Sequence, residues 1–298
     1  MSHYFLGIDA GSSATKWAVI NDGGKELTRG KSISVDGHLY RDESRNQWKQ
    51  FLSEIYEKIQ VPITAIYAGV TGASDFPEEN LEIADLIKEK FPAAHVHVVI
   101  DVALGYRANV KNQKGVYLYA GTGSIAVYKD ALDRIRTVGG WGYLLGDEGA
   151  GYWIGISALR EILAELENGK SESRLSSMIT NNGQTPTFNQ IKELVYGSPR
   201  SKVAALAKEV IDLAKAGDQK SLEIIKSAAQ ELAILVERTR AVIGDADGPI
   251  VFGGGIAQAS QEIVNETARI LGTTIQVSSD DLSLEAAQFA AEDFSTTS

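Results

Sequence analysis

With 298 residues, 44% of them hydrophobic and 23% charged, the chain has the composition of an ordinary globular protein of two domains or one large one. It contains no cysteine, which excludes a disulfide framework, a cysteine-held zinc or iron–sulfur centre and a thiol nucleophile. Twenty-nine Lys and Arg against 39 Asp and Glu leave a net charge of −10, which repels a phosphate backbone, so nucleic acid is not an expected partner.

The first elements read as strand, small-residue turn, strand: Tyr4–Asp9, then Ala10-Gly11-Ser12-Ser13-Ala14, then Thr15–Ile20. Asn21-Asp22-Gly23-Gly24 turns the chain into a more polar third strand from about Glu26 to Val35. Trp48, Phe51, Leu52, Ile55 and Ile59 recur at helical spacing and predict a helix from about Asp42 to Ile59. Strand Ile63–Val70, helix Glu78–Phe91 and strand Val96–Ile100 follow, and together they describe an α/β domain with a mixed sheet. The pattern then begins again. Gly115–Ala120, a Gly121-Thr122-Gly123-Ser124 turn, Ile125–Lys129 and Asp133–Val138 repeat the opening, which suggests a weak internal duplication. A helical stretch from about Tyr152 interrupts the second copy, strongest over Val203–Ala214 and Leu222–Ile243. Strand Pro249–Phe252, Gly253-Gly254-Gly255, helix Ser260–Leu271, strand Thr274–Val277 and helix Leu282–Ala291 close the chain. No apolar run approaches the roughly 20 residues of a membrane span. Asp9 interrupts the apolar start and no basic leader precedes it, so the expected location is the cytoplasm, with no membrane partner.

Gly121–Ala126 matches the dinucleotide fingerprint by letter, but a strand, not a helix, follows the glycines, and the fingerprint requires a helix N-terminus. What remains is two turns rich in Gly, Ser and Thr, at Gly11–Ser13 and Gly121–Ser124, whose N–H groups and hydroxyls suit phosphate. Either alone is also an ordinary hairpin turn. Asp101 ends an apolar strand, where open α/β sheets bind ligands, but the same carboxylate can cap the helix that follows. Asp9 ends its strand in the same way and can hold magnesium through water. Six of the fifteen residues from Gly139 to Trp153 are glycine, with two Trp, two Tyr and the adjacent pair Asp147 and Glu148. Aromatic faces beside a carboxylate suit a polyol or sugar; a glycine-rich crossing between domains is the alternative. Gly253–Gly255 allows close approach to the backbone, as for an adenine ring, or forms a tight strand-to-helix turn. His95 and His97 share one strand face but lack an obvious third metal ligand, and Asp245-Ala246-Asp247-Gly248 lacks the glutamate of a calcium loop and reads as a turn.

In order, GIDAGSSATK, VVIDVALGY, YAGTGSIAV, GGWGYLLGDEGAGYWIG and VFGGGIAQA resemble the motif series of the BadF/BadG/BcrA/BcrD ATPase family. Within it they are most similar to the N-acetylglucosamine kinase and archaeal hexokinase branch of the actin-like ATPase superfamily. The resemblance spans almost the whole chain. It implies two ribonuclease H-like domains, residues 1–110 and 111–281, with the closing helix 282–293 packed back on the first. A nucleotide in the cleft between them and closure around a sugar are implied as well. The implied reaction transfers the γ-phosphate of ATP to a hydroxyl of a hexose or amino sugar, with Mg2+ and with Asp101 as general base. By position, Asp9, Gly11, Ser12, Ser13, Thr15 and Lys16 correspond to the first phosphate motif, with Asp9 linked to magnesium. Gly121, Thr122, Gly123 and Ser124 correspond to the second, and Gly253, Gly254 and Gly255 to the adenosine motif. Asp36, Gly72, Asp101, Ile125, Gly140, Trp141, Gly142 and Asp147 are the implied sugar contacts. Ser12, Ser13 and Ala14 depart from the usual first loop, and Ile125 stands where related N-acetylglucosamine kinases carry Asn, as in broad-specificity hexokinases. A nucleotide-binding regulator without a sugar product, and a kinase for another acceptor, fit the same loops. Related kinases are often dimers, which leaves a homodimer open.

Overall fold

The computed structural model describes residues 2–74, 77–111, 114–169, 174–180, 186–244, 248–279 and 281–297. The chain divides into two compact units, Met1–Asn112 with Asp281–Ser298, and Gln113–Asp280.

In the first unit, β1 (Tyr4–Ala10), β2 (Thr15–Asn21) and β3 (Glu26–Ser32) form an antiparallel meander. β4 (Ala65–Val70) and β5 (His95–Ile100) continue it in parallel, in the order β3-β2-β1-β4-β5. The third strand is shorter than its sequence suggests. At Val35 the backbone N–H donates to Thr15 Oγ1 at 3.1 Å, so a buried side chain, not a neighbouring strand, takes that donor. α1 (Asp42–Lys58) buries Trp48, Phe51, Leu52 and Ile55 in a core shared with Leu6, Ile8 and Trp17 of the sheet. α2 (Leu81–Lys90) adds Ile83 and Ile87, after a 3-10 turn at Pro77–Asn80 where a continuous helix was expected. α3 (Asp101–Val110) starts directly where β5 ends.

The second unit repeats the topology. β6 (Val116–Ala120), β7 (Ser124–Lys129) and β8 (Ile135–Gly139) form the meander, and β9 (Ile250–Gly253) and β10 (Ile275–Val277) continue in parallel, in the order β10-β9-β6-β7-β8. Its helical insertion comprises α4 (Gly151–Glu167), α5 (Phe188–Tyr196), α6 (Arg200–Lys215) and α7 (Gln219–Ile243). Ile154, Leu159, Val203, Val210, Ile225 and Leu232 from these helices share one core with Leu118 and Phe252 of the sheet. The helical starts follow ordinary capping chemistry. Asp218 accepts from the Ser221 N–H, and Thr187 with Gln190 forms a capping box. α8 (Gly255–Ala259), absent from the sequence reading, opens at once after β9 and precedes α9 (Gln261–Leu271).

The closing helix α10 (Ser283–Thr297) belongs to the first unit and runs six residues further than its spacing predicts. It packs flush on β1 because residue 7 has no side chain. A Cβ on Gly7 would lie 2.0 Å from the Ser283 carbonyl oxygen and 2.3 Å from the Ala287 nitrogen. Asp245–Asp247, read as a turn, lie outside the described residues. Among the described residues no helix is long and apolar enough to cross a membrane.

Candidate active site

In the first unit the candidate residues meet at the carboxyl ends of β1, β4 and β5. β4 lies between the other two, with Gly69 opposite Asp9 and Val70 opposite Ile100. Asp9 and Asp101 are therefore held at the ends of two strands that flank β4. Ile100 is the N-cap residue of α3 and Asp101 its first helical residue, with its Oδ1 accepting from the Val102 N–H at 2.9 Å. Asp101 therefore does not cap α3: the cap position is Ile100, with no side-chain cap hydrogen bond. Burial pushes the Asp101 carboxyl up to about 7; the Val102 N–H opposes the rise, the Asp9 charge adds to it, and a hydrogen bond from Thr71 opposes it. A carboxylate with this affinity for a proton is suited to act as a base near neutral pH.

Thr71 was missed by the sequence reading, and it ties the site together. Its N–H donates to the Ala10 carbonyl at the end of β1, and its carbonyl accepts from the Gly37 N–H, both at 2.9 Å, while its side chain reaches Asp101. The only signal was a hydroxyl residue placed directly after the buried strand β4. Through Gly37, the same contacts bring the Asp36 segment against Thr71 and Gly72. Asp36 Oδ1 accepts from the His38 N–H, and its carbonyl from the Trp48 indole.

The first loop is a tight turn, with the Gly11 N–H donating to the Ala14 carbonyl at 3.1 Å. Ser12 and Ser13 are exposed at its tip. Thr15 is fully buried, with its hydroxyl turned to Val35, so it braces the loop from below. Lys16 lies opposite Asp9 in the β1–β2 register.

In the second unit, Gly121, Thr122 and Gly123 link β6 to β7, and the Gly121 N–H donates to the Gly123 carbonyl. The turn's own carbonyls are occupied: Gly121 O accepts from Gly151 N–H at 2.8 Å and Thr122 O from Tyr152 N–H at 3.1 Å. These donors are the first N–H groups of α4, which locks the turn to the glycine-rich segment. Ser124 Oγ donates to the Glu148 carbonyl. Asp147, in the left-handed region at φ 65, is buried, and its carboxylate takes N–H groups from Gly142 and Ser124. Burial raises its pKa above the usual carboxylate value; those two donors and Arg200 offset part of the rise, and Glu148 adds to it.

A cavity of about 170 Å³ opens beside it, lined in part by Ser124, Trp141, Asp147, Glu148 and Arg238. Trp141 is 70% exposed on the loop above. Ile125 packs at Gly140, whose N–H donates to the Ser124 carbonyl. At the end of β9, Gly254 adopts φ 94 and a Cβ on it would lie 2.4 Å from the Ala120 carbonyl oxygen, so the glycine triad is pressed against the second turn. Gly255 faces open space, with no atom within 4 Å of where its Cβ would be.

The model of the BadF/BadG/BcrA/BcrD ATPase family matches residues 6–283. The chain belongs to this family. Among its relatives, an N-acetylmuramic acid/N-acetylglucosamine kinase from Clostridium acetobutylicum is 26% identical over 276 residues, which cover 90% of either chain. An N-acetyl-D-glucosamine kinase from Dictyostelium discoideum is 25% identical over 273 residues and 84% of either chain. A solved structure from Porphyromonas gingivalis, named provisionally as an N-acetylglucosamine kinase, superposes with a TM-score of 0.78. It is 21% identical and covers 97% of this chain and 99% of its own, which shows a shared α/β fold.

His95 and His97 stand on β5, with His97 Nδ1 3.5 Å from Asp293 Oδ2, and among the described residues no three His, Asp or Glu gather to hold an ion. The charge of Asp9 acts on Asp101, and a carboxylate beside the Gly11–Ser13 turn suits an ion that keeps most of its waters.

Proposed function

We propose that this protein is a sugar kinase, transferring the γ-phosphoryl group of ATP to a hydroxyl of a hexose or amino sugar. The observation that carries this reading is the raised affinity of Asp101 for a proton at the carboxyl end of β5, one strand removed from the end of β1 that holds Asp9. The named activities of the Clostridium and Dictyostelium relatives support the same reaction class.

In this reading Asp101 accepts the proton of the attacking sugar hydroxyl, and Thr71 orients its carboxylate. Asp36 and Gly72, joined through Gly37 and Thr71, contribute to holding the sugar on the first unit. On the second unit, Asp147 with Gly140, Trp141, Gly142 and Ile125 supplies a carboxylate and an aromatic face to sugar hydroxyls. The N–H groups and hydroxyls of Gly11, Ser12 and Ser13 bind phosphate oxygens, as do those of the Gly121–Ser124 turn, with Thr15 bracing the first loop. Lys16 adds positive charge beside Asp9. The open backbone at Gly255, with Gly253 and Gly254, suits the flat face of an adenine. Asp9 would hold Mg2+ through water, and when bound the ion neutralises charge on the transferring phosphoryl group. Positioning and charge stabilisation supply most of the rate in such transfers, which is why a single base suffices.

The test is ADP release measured across glucose, glucosamine, N-acetylglucosamine, N-acetylmannosamine and N-acetylmuramic acid. Release that depends on one or more of them supports the reading. Release at one rate with and without every sugar contradicts it.

A further inference from the structure

Asp9 does not stand alone at the end of β1: its Oδ2 accepts the Leu282 backbone N–H at 3.1 Å, across 273 positions of sequence. Leu282 is the residue before α10, and its carbonyl accepts the first intrahelical bond, from Ala286, at 2.9 Å. Asp281 Oδ1 takes the Ser283 N–H at 3.0 Å and the Ser283 hydroxyl at 2.6 Å, which occupies the next donor and leaves Leu282 N–H for Asp9. What brings this helix end to the carboxylate is Gly7, two residues before Asp9 and so on the same face of β1. Its missing side chain admits the backbone of Ser283 and Ala287 at distances no Cβ would allow. Gly7 and Asp9 therefore act as a pair: one seats the helix, and the other receives its first free N–H.

We infer that the start of α10 is a positioning element for the magnesium-linked carboxylate, with the Leu282 N–H fixing the orientation in which Asp9 is presented. The inference rests on the reading of Asp9 given above. It assigns to the far end of the chain a part in nucleotide binding that no residue type at position 282 advertises, because the group involved is main chain. The partial positive charge at a helix N-terminus adds to the hold on a carboxylate there.

The experiment removes that N–H. Leu282→Pro deletes the donor, while Leu282→Ala removes the buried side chain and keeps the donor. Both are compared with the parent by calorimetric binding of a non-hydrolysable ATP analogue at graded Mg2+, and by the Mg2+ dependence of turnover. The expected result is a Mg2+ requirement raised about tenfold in Leu282→Pro, the size of one hydrogen bond to a charged group, with Leu282→Ala close to the parent. Equal effects of the two variants, or a Leu282→Pro protein with the parent's Mg2+ requirement, overturn the inference. If Leu282→Pro does not fold, an amide-to-ester replacement at the same bond deletes the N–H with the side chain intact and is judged by the same readouts. Asp9→Asn separates the two levels: if it keeps the parent's Mg2+ dependence, the reading of Asp9 itself fails, whatever residue 282 does.

Discussion

Gly123 and Asp147 share one space: a Cβ added at residue 123 would lie 2.3 Å from Asp147 Oδ2. The Gly121–Ser124 turn and the Gly146–Gly149 segment are thus complementary surfaces, with a glycine at the point where the buried carboxylate enters. Gly123→Ala must push the carboxylate away from the Ser124 and Gly142 N–H groups. We expect kcat/KM for the sugar to fall at least ~10-fold, since each lost contact to a charged group is worth about 1.5–3 kcal/mol. Steady-state kinetics with sugar and ATP varied in turn checks this, and an unchanged kcat/KM for the sugar would count against the role of Asp147.

The contact of β1 with α10 predicts a stability effect at a distance from any ligand. Gly7→Ala should cost about 1–3 kcal/mol by overpacking, read as a lower midpoint in urea denaturation. Gly11→Ala serves as comparison, because a Cβ there meets only the Ala14 carbonyl oxygen at 3.6 Å. Equal midpoints for the two variants would contradict the packing described.

Much of this was legible in the sequence, and what was not has a physical reason. The strand-turn-strand openings at Gly11 and Gly121 are local hydrophobic patterns bounded by turn residues, and both appear where the pattern puts them. The two sheets share one strand order, in keeping with the internal duplication read from the sequence. Thr71 and the Leu282 N–H were invisible because each acts through contacts tens to hundreds of positions away, and one of them is not a side chain at all. Thr15 shows the reverse case, a residue placed in a phosphate motif by letter whose hydroxyl faces the protein interior. Asp101 had two readings, base and cap; the helix begins at Asp101 itself with Ile100 as its N-cap residue, so the cap reading falls and the base is carried forward as the proposal.

The raised pKa of Asp101 has a definite sign for stability. The ordinary value is 3.8 and the folded value about 7, so the folded state binds this proton more tightly than the unfolded chain does. Its contribution is fully present below about pH 4 and is lost as the pH rises through 7. Asp101→Asn carries no such charge. Thermal melts of the ligand-free protein should place Asp101→Asn above the parent by a few degrees at pH 8, about 1–2 kcal/mol, with the gap closing toward pH 4. A gap of the same size at both pH values would show that the carboxyl is not perturbed.

The most direct test of the kinase reading is sugar-dependent ADP release by Asp101→Asn at saturating ATP, Mg2+ and the best sugar from the panel. Loss of the general base predicts a fall in kcat of at least ~100-fold, with nucleotide binding retained. An Asp101→Asn enzyme that turns over at the parent's rate would contradict the account.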